Sequence, residues 1–151
     1  YSELMTSLVV PLLKDGEFAG VAGVDINLST LQDTIARVSR DLFDGQSRVT
    51  LLSAKGLIAA SSQYSDKLGR PLAEALPELA SELVELHRNG GRYDDGKTLA
   101  VSYPVEIGQA NTQWSLLIEL PREAALASVG EITGLVSEEI AANWPSIPTP
   151  N

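Results

Sequence analysis

An Asp-Gly pair between two long apolar runs constrains this chain more than any other feature. Lys14-Asp15-Gly16-Glu17 separates the run 4–13 from the run 18–28. Asp-Gly accepts the left-handed backbone of a two-residue hairpin turn, so the two runs are predicted to fold back as paired strands. With Lys14 facing Glu17, continuing the register places Leu8 opposite Gly23 and Thr6 opposite Asp25. Val10, Ala19, Val21 and Asn27 then share their face. The other face carries Met5, Val9, Pro11, Phe18, Ala22, Val24 and Ile26, is more continuously apolar, and reads as the core side.

The pattern then changes period. Ser29 suits an N-cap, Gln32 three residues on completes a capping box, and Leu31, Ile35, Val38 and Leu42 recur at helical spacing. Asp44-Gly45 ends that helix. Residues 48–53 and 57–62 read as a strand pair around Ala54-Lys55-Gly56, and 63–69 as a polar loop. Residues 71–76 suit a short helical turn. Pro77 suits the first position of a further helix bearing Leu79, Leu83 and Leu86, stopped by Asn89-Gly90-Gly91. Arg92-Tyr93 precedes the turn Asp94-Asp95-Gly96. Residues 98–107 and 113–120 read as a last strand pair joined by 108–112. From Glu123 to about Asn143 a helix is predicted despite Gly130 and Gly134, and the Pro-rich tail 145–151 is expected to fray. Strands and helices in this order imply an α+β fold, an antiparallel sheet with helices on one side. Residues 1–28 look like the last two strands of a similar unit whose beginning is missing, so the chain reads as an excised fragment.

Composition limits what such a fold is for. The 151 residues predict one domain, or one and a fraction, and a chain of this length buries roughly 70% of its unfolded surface. The net charge of −9 repels phosphate backbones and anionic membrane surfaces, so nucleic acid is excluded as a partner and a cationic or zwitterionic small ligand is favoured. The absence of cysteine removes thiol catalysis, disulfides and cysteine metal sites. No apolar run reaches the ~18 residues of a membrane helix, and the opening Tyr1-Ser2-Glu3 does not read as a leader peptide. No nucleophile–base pair, metal cluster or cofactor motif is present. Gly20-Val21-Ala22-Gly23 lies inside a strand and lacks the lysine of a phosphate loop, and Ser61-Ser62 lacks the G-x-S-x-G context.

Asp25 is the principal candidate. It is a carboxylate in a strand otherwise built of Val, Ala and Gly, where an unpaired buried charge costs several kcal/mol. Small neighbours at Ala19, Val21 and Gly23 leave space beside it for a cavity. Its alternative is an aspartate bonding backbone N–H groups at the strand end. Thr6, expected across the hairpin, adds a hydroxyl, although a strand threonine also fits a pleated surface. Tyr1 is placed to wall the same pocket. Tyr64, Tyr103 and Trp114 line either a second pocket or the core of the later unit. His87, the only histidine, sits near a helix C-terminus, where its charged form suits the dipole.

The run Met5-Thr6-Ser7-Leu8-Val9-Val10-Pro11, the turn Lys14-Asp15-Gly16, and the run from Gly20 to Leu28 with Leu31-Gln32 resemble one family. It is the double Cache (tandem PAS-like) sensor domain of bacterial methyl-accepting chemotaxis receptors. Its membrane-distal module ends in a T-S-x-x-x-P strand, a D-G-x-x-x-G-V-x-G-x-D strand and then L-x-x-L-Q. Leu51-Leu52-Ser53-Ala54-Lys55-Gly56-Leu57-Ile58-Ala59 and Trp114-Ser115-Leu116-Leu117-Ile118-Glu119-Leu120-Pro121 look more loosely like the first hairpin and last strand of the proximal module. The resemblance covers about residues 1–125, and 5–32 is its specific part. The long N-terminal helix and most of the distal module have no counterpart here, and Glu138 to Pro145 is too polar for a membrane span.

The resemblance implies a PAS-like antiparallel sheet flanked by helices, preceded by a hairpin and linking helix from an incomplete module. Its divisions would be 1–44, 45–121 and 122–151. It implies that Asp25 holds the ammonium of an amine or amino acid, with Thr6 and Tyr1 beside it, by charge-assisted hydrogen bonds. It further implies a periplasmic part of an inner-membrane receptor, joined to the membrane only through segments absent from this chain, and a homodimer in the full receptor. The C-terminal helix would pass on the signal. The same sensor type on a histidine kinase or diguanylate cyclase, and a ligand-free dimerisation module, remain alternatives.

Overall fold

The computed structural model describes residues 4–77, 80–106 and 113–127. Strands β1 (Met5–Lys14) and β2 (Glu17–Asn27) form the predicted hairpin. Asp15 and Gly16 take φ of 55° and 85°, the left-handed pair that a two-residue turn requires. Lys14 faces Glu17 and Leu13 faces Phe18, as expected. The ladder then bulges: Leu12 faces Gly20, so Ala19 is an extra residue on β2, and Gly20 absorbs the distortion at φ 153°. Below the bulge every pair is displaced by one position. Ser7, not Thr6, faces Asp25, and Thr6 faces Ile26. A one-residue slip exchanges the faces of one strand relative to its partner, so β1 turns Thr6, Leu8 and Val10 inward rather than Met5, Val9 and Pro11, whereas Ile26, Val24 and Ala22 of β2 share the inward face as expected.

Helix α1 (Leu28–Asp41) follows without a loop. Its N-cap is Asn27 rather than Ser29: Asn27 Oδ1 accepts from the Ser29 backbone N–H at 2.9 Å and from Ser29 Oγ at 2.8 Å. Gln32 is therefore not part of a capping box. Its side chain grips the backbone of Ser61, donating from Nε2 to the carbonyl at 2.6 Å and accepting from the N–H at 2.9 Å. After α1 the chain turns through left-handed Phe43, Asp44 and Gly45. Ser39 Oγ donates to the Ser47 carbonyl at 2.6 Å, which ties the helix end to the next strand.

Five strands then make one antiparallel sheet: β3 (Arg48–Leu52), β4 (Ile58–Ser61), β5 (Gly91–Asp94), β6 (Thr98–Glu106) and β7 (Gln113–Pro121), in the order β4-β3-β7-β6-β5. Helices α2 (Leu72–Ala75) and α3 (Ala80–Asn89) lie between β4 and β5 in sequence. The alternation of each strand divides the sheet into two apolar faces. Val49, Leu51 and Trp114 pack with Leu28 and Ile35 of α1. Leu52, Ala100 and Leu117 pack with Leu72 of α2 and with Leu83 and Leu86 of α3. The α+β reading holds, but helices cover both faces rather than one, because the linking helix occupies the second. Pro77 lies in a turn, and residues 78 and 79, through which it would open α3, lie outside the described residues. Residues 122–127 are helical, in agreement with a helix starting near Glu123. The expected remainder of that helix, the tail and the connection 108–112 lie outside the described residues. Among the described residues no helix is long and apolar enough to cross a membrane.

Candidate functional site

The hairpin stands on α1 by its base, where the Leu28 N–H donates to the Leu4 carbonyl at 3.0 Å. Its two faces differ. Thr6 and Leu8 turn toward the five-stranded sheet and are half-buried, Leu8 packing against the cluster around Leu28 and Trp114. Ser7, Val9, Val21, Gly23 and Asp25 turn the other way and are exposed. Val9 and Val21 are 53% and 61% exposed beside the Asp25 carboxylate, which makes this face an apolar surface with a single anionic group. A contiguous apolar patch of this kind marks an interaction surface.

Asp25 accepts a hydrogen bond from Ser7 Oγ at 2.5 Å. The expectation that it pairs across the hairpin with Thr6 is corrected, because the bulge at Ala19 exchanges Thr6 for Ser7. The expected cavity beside it is not closed by the described residues: the carboxylate faces outward. Tyr1 lies outside the described residues. Gly23 keeps the Asp25 face flat, since a Cβ there would lie 2.7 Å from Val9 Cγ1 and 3.1 Å from the Leu8 carbonyl.

On the opposite side of β1, a cleft of about 420 Å³ runs between the hairpin and the β3–β4 connection. Thr6, Leu8, Leu57 and Trp114 line it, together with Lys55. Thr6 therefore lines the cleft and Asp25 does not, although Ser7, which holds the Asp25 carboxylate, also contributes to it.

The face of the sheet under α2 and α3 carries a polar cluster. Glu119 is 1% exposed, at the centre of the sheet, and its Oε1 lies 3.7 Å from Arg48 Nη2. Its Oε2, the Arg48 Nε and the Ser102 Oγ are buried without hydrogen-bond partners among the described residues. Burial pushes the Glu119 carboxyl above its ordinary range, against the pull of Arg48. The Tyr64 hydroxyl is pushed up to about 12, by burial first and by the Glu119 charge second. His87 Nδ1 and Ser115 Oγ share a hydrogen bond of 2.5 Å, and burial holds the imidazole below its usual value. The three aromatics do not meet: Tyr64 packs beside α2, Tyr103 is exposed, and Trp114 is buried on the α1 face. Among the described residues no group of three acidic, histidine or cysteine side chains is placed to hold a metal.

Sequence reasoning missed Ser7, Glu119 and Lys55. Glu119 carries the same signal as Asp25, a lone carboxylate in an apolar strand. Ser7 required the bulge to be known, and Lys55 required the approach of β1 to the β3–β4 turn.

No family model matches the chain. It is 39% identical, over 125 residues, to the methyl-accepting chemotaxis protein TlpQ of Pseudomonas aeruginosa, a match covering 82% of this chain and 18% of TlpQ. Among solved structures it is similar to the ligand-binding domain of the P. aeruginosa PAO1 amino-acid chemoreceptor PctC, in complex with GABA. That match has 26% identity and a TM-score of 0.57, and covers 78% of this chain and 50% of that one. The ligand-binding domain of the Pseudomonas fluorescens chemoreceptor CtaA, in complex with L-isoleucine, shares the fold at 23% identity and a TM-score of 0.55, over 82% of this chain and 48% of that one. The chain thus spans about a fifth of the length of TlpQ and half of each solved sensor domain.

Proposed function

Because this chain is homologous to the ligand-binding domains of bacterial chemoreceptors, we propose that it is the periplasmic small-molecule sensing part of a methyl-accepting chemotaxis receptor, and that Asp25 holds the cationic group of an amine or amino acid. In this reading 1–44 closes a membrane-distal module, 45–121 is the proximal PAS-like module, and 122–151 passes the signal toward the membrane.

The observation that carries the reading is the Asp25 carboxylate on the exposed apolar face of the hairpin. Ser7 fixes the carboxylate by occupying Oδ1, which leaves Oδ2 for an ammonium. A charge-assisted bond of that kind is worth about twice a neutral one. The surrounding Val9, Val21 and Met5 give a hydrocarbon portion something to contact. For such a site to exclude water, a further part of the sensor domain must cover this face, and the solved relatives have twice the matched length. A ligand there changes signalling only by favouring one arrangement of the covering part and the hairpin over another.

Calorimetric titration of the complete receptor sensor domain against a panel of amines and amino acids tests this. The expected result is saturable binding that Asp25→Asn weakens at least about tenfold. Binding that Asp25→Asn leaves unchanged would remove Asp25 from the ligand site.

A further inference from the structure

The cleft between the hairpin and the sheet has a chemistry opposite to that of the Asp25 face. Its volume, about 420 Å³, lies in the range of small-molecule sites. Its walls are largely apolar: Leu8 of β1, Leu28 at the start of α1, Leu57, and Trp114 of β7. Four polar residues interrupt them, Thr6, Ser7, Ser53 and Lys55, and of these Lys55 alone is charged. Lys55 sits in the exposed β3–β4 turn, and among the described residues it has no ion pair. The chain as a whole carries a net charge of −9, so an unpaired cation at an apolar cleft reverses the local field.

We propose that this cleft binds a small apolar acid, a carboxylate on a hydrocarbon chain. The tail lies between β1 and the sheet, and the carboxylate meets Lys55, with Thr6 as a second donor. The site does not use Asp25 and selects the opposite charge. One wall belongs to the hairpin and the other to the five-stranded sheet, so an occupant favours the arrangement in which the two stay together.

The test is calorimetric titration of the whole chain with hexanoate, octanoate, hexan-1-ol and hexylamine at low and high salt. Hexanoate should bind more tightly than the alcohol or the amine, although the net charge favours the amine. Each added methylene should tighten binding about fourfold. Lys55→Gln should weaken hexanoate about threefold and remove its salt dependence. Ala54→Phe, at an exposed lining position, should block the cleft while leaving the melting temperature unchanged, and Asp25→Asn should have no effect on hexanoate. Equal affinity for hexanoate and hexylamine would overturn the proposal, as would hexanoate binding that survives Ala54→Phe or is lost in Asp25→Asn.

Discussion

Ser7 donates a hydrogen bond to Asp25 across the hairpin, at 2.5 Å, from the position one residue beyond the one that turn geometry alone would select. The pair shares the exposed face, whereas Thr6 points into the cleft on the other side. Ser7→Ala is therefore expected to weaken amine binding by the complete sensor about tenfold, since bonds to a charged group are the costly ones to lose. Thr6→Ala should leave it unchanged. Titration of both variants with the same amine checks this, and the reverse order would place Thr6 beside the carboxylate.

Gly23 faces Val9 directly, and a β-carbon at that position has no room. The obstacle is a stiff β-branched side chain and a backbone carbonyl, neither of which yields easily. Gly23→Ala is expected to destabilise the hairpin by about 1–2 kcal/mol. Hydrogen exchange at the β1 and β2 amides should accelerate, and adding Val9→Ala should restore part of the protection. Unchanged exchange would mean that the ribbon accommodates the methyl group by shifting.

Gln32 joins α1 to the backbone of Ser61, the last residue of the edge strand β4, through both atoms of its amide. Removing it leaves a partly buried N–H and carbonyl without partners, which costs about 2 kcal/mol. Gln32→Ala should lower the thermal midpoint accordingly. Gln32→Glu should recover only part of the loss, because a carboxylate accepts from the Ser61 N–H but cannot donate to its carbonyl. Full stability in Gln32→Ala would show that water replaces the side chain.

Glu119 sets a pH dependence. Burial raises its carboxyl in the folded state above the unfolded value of 4.5. Between the unfolded and the raised folded value, the native state holds a proton that the unfolded state releases. Stability therefore falls as pH rises through that window. Glu119→Gln removes the ionisation and should be more stable than the parent by about 1 kcal/mol near pH 8. The difference should shrink toward pH 5. Denaturant melts of both proteins at these pH values measure it; a constant difference would mean that Arg48 keeps Glu119 ionised throughout.

Periodicity carried most of the architecture. The turn at Asp15-Gly16, the stripe Leu31-Ile35-Val38 and the alternating strands from Arg48 to Pro121 are local patterns, and each forms where its spacing predicts. The misplaced features are those that depend on what a side chain meets at long range. Asn27 and Ser29 both have capping chemistry, and the choice between them followed from where β2 ends. Gln32 has the spacing of a capping box, yet a strand edge brought against α1 offers it two unpaired backbone groups instead.

The candidate sites divide in the same way. Sequence alone determined that a carboxylate interrupts β2, that a lysine occupies the β3–β4 turn and that the hairpin exists, because composition and turn chemistry are local. Only the tertiary structure decided which neighbours those charges have. The extra residue at Ala19 sends Asp25 to the face of Ser7 and Thr6 to the cleft near Lys55. Strand pairing has a period of two, so a single inserted residue reverses every side chain beyond it, and no local pattern in the sequence records where that insertion is absorbed.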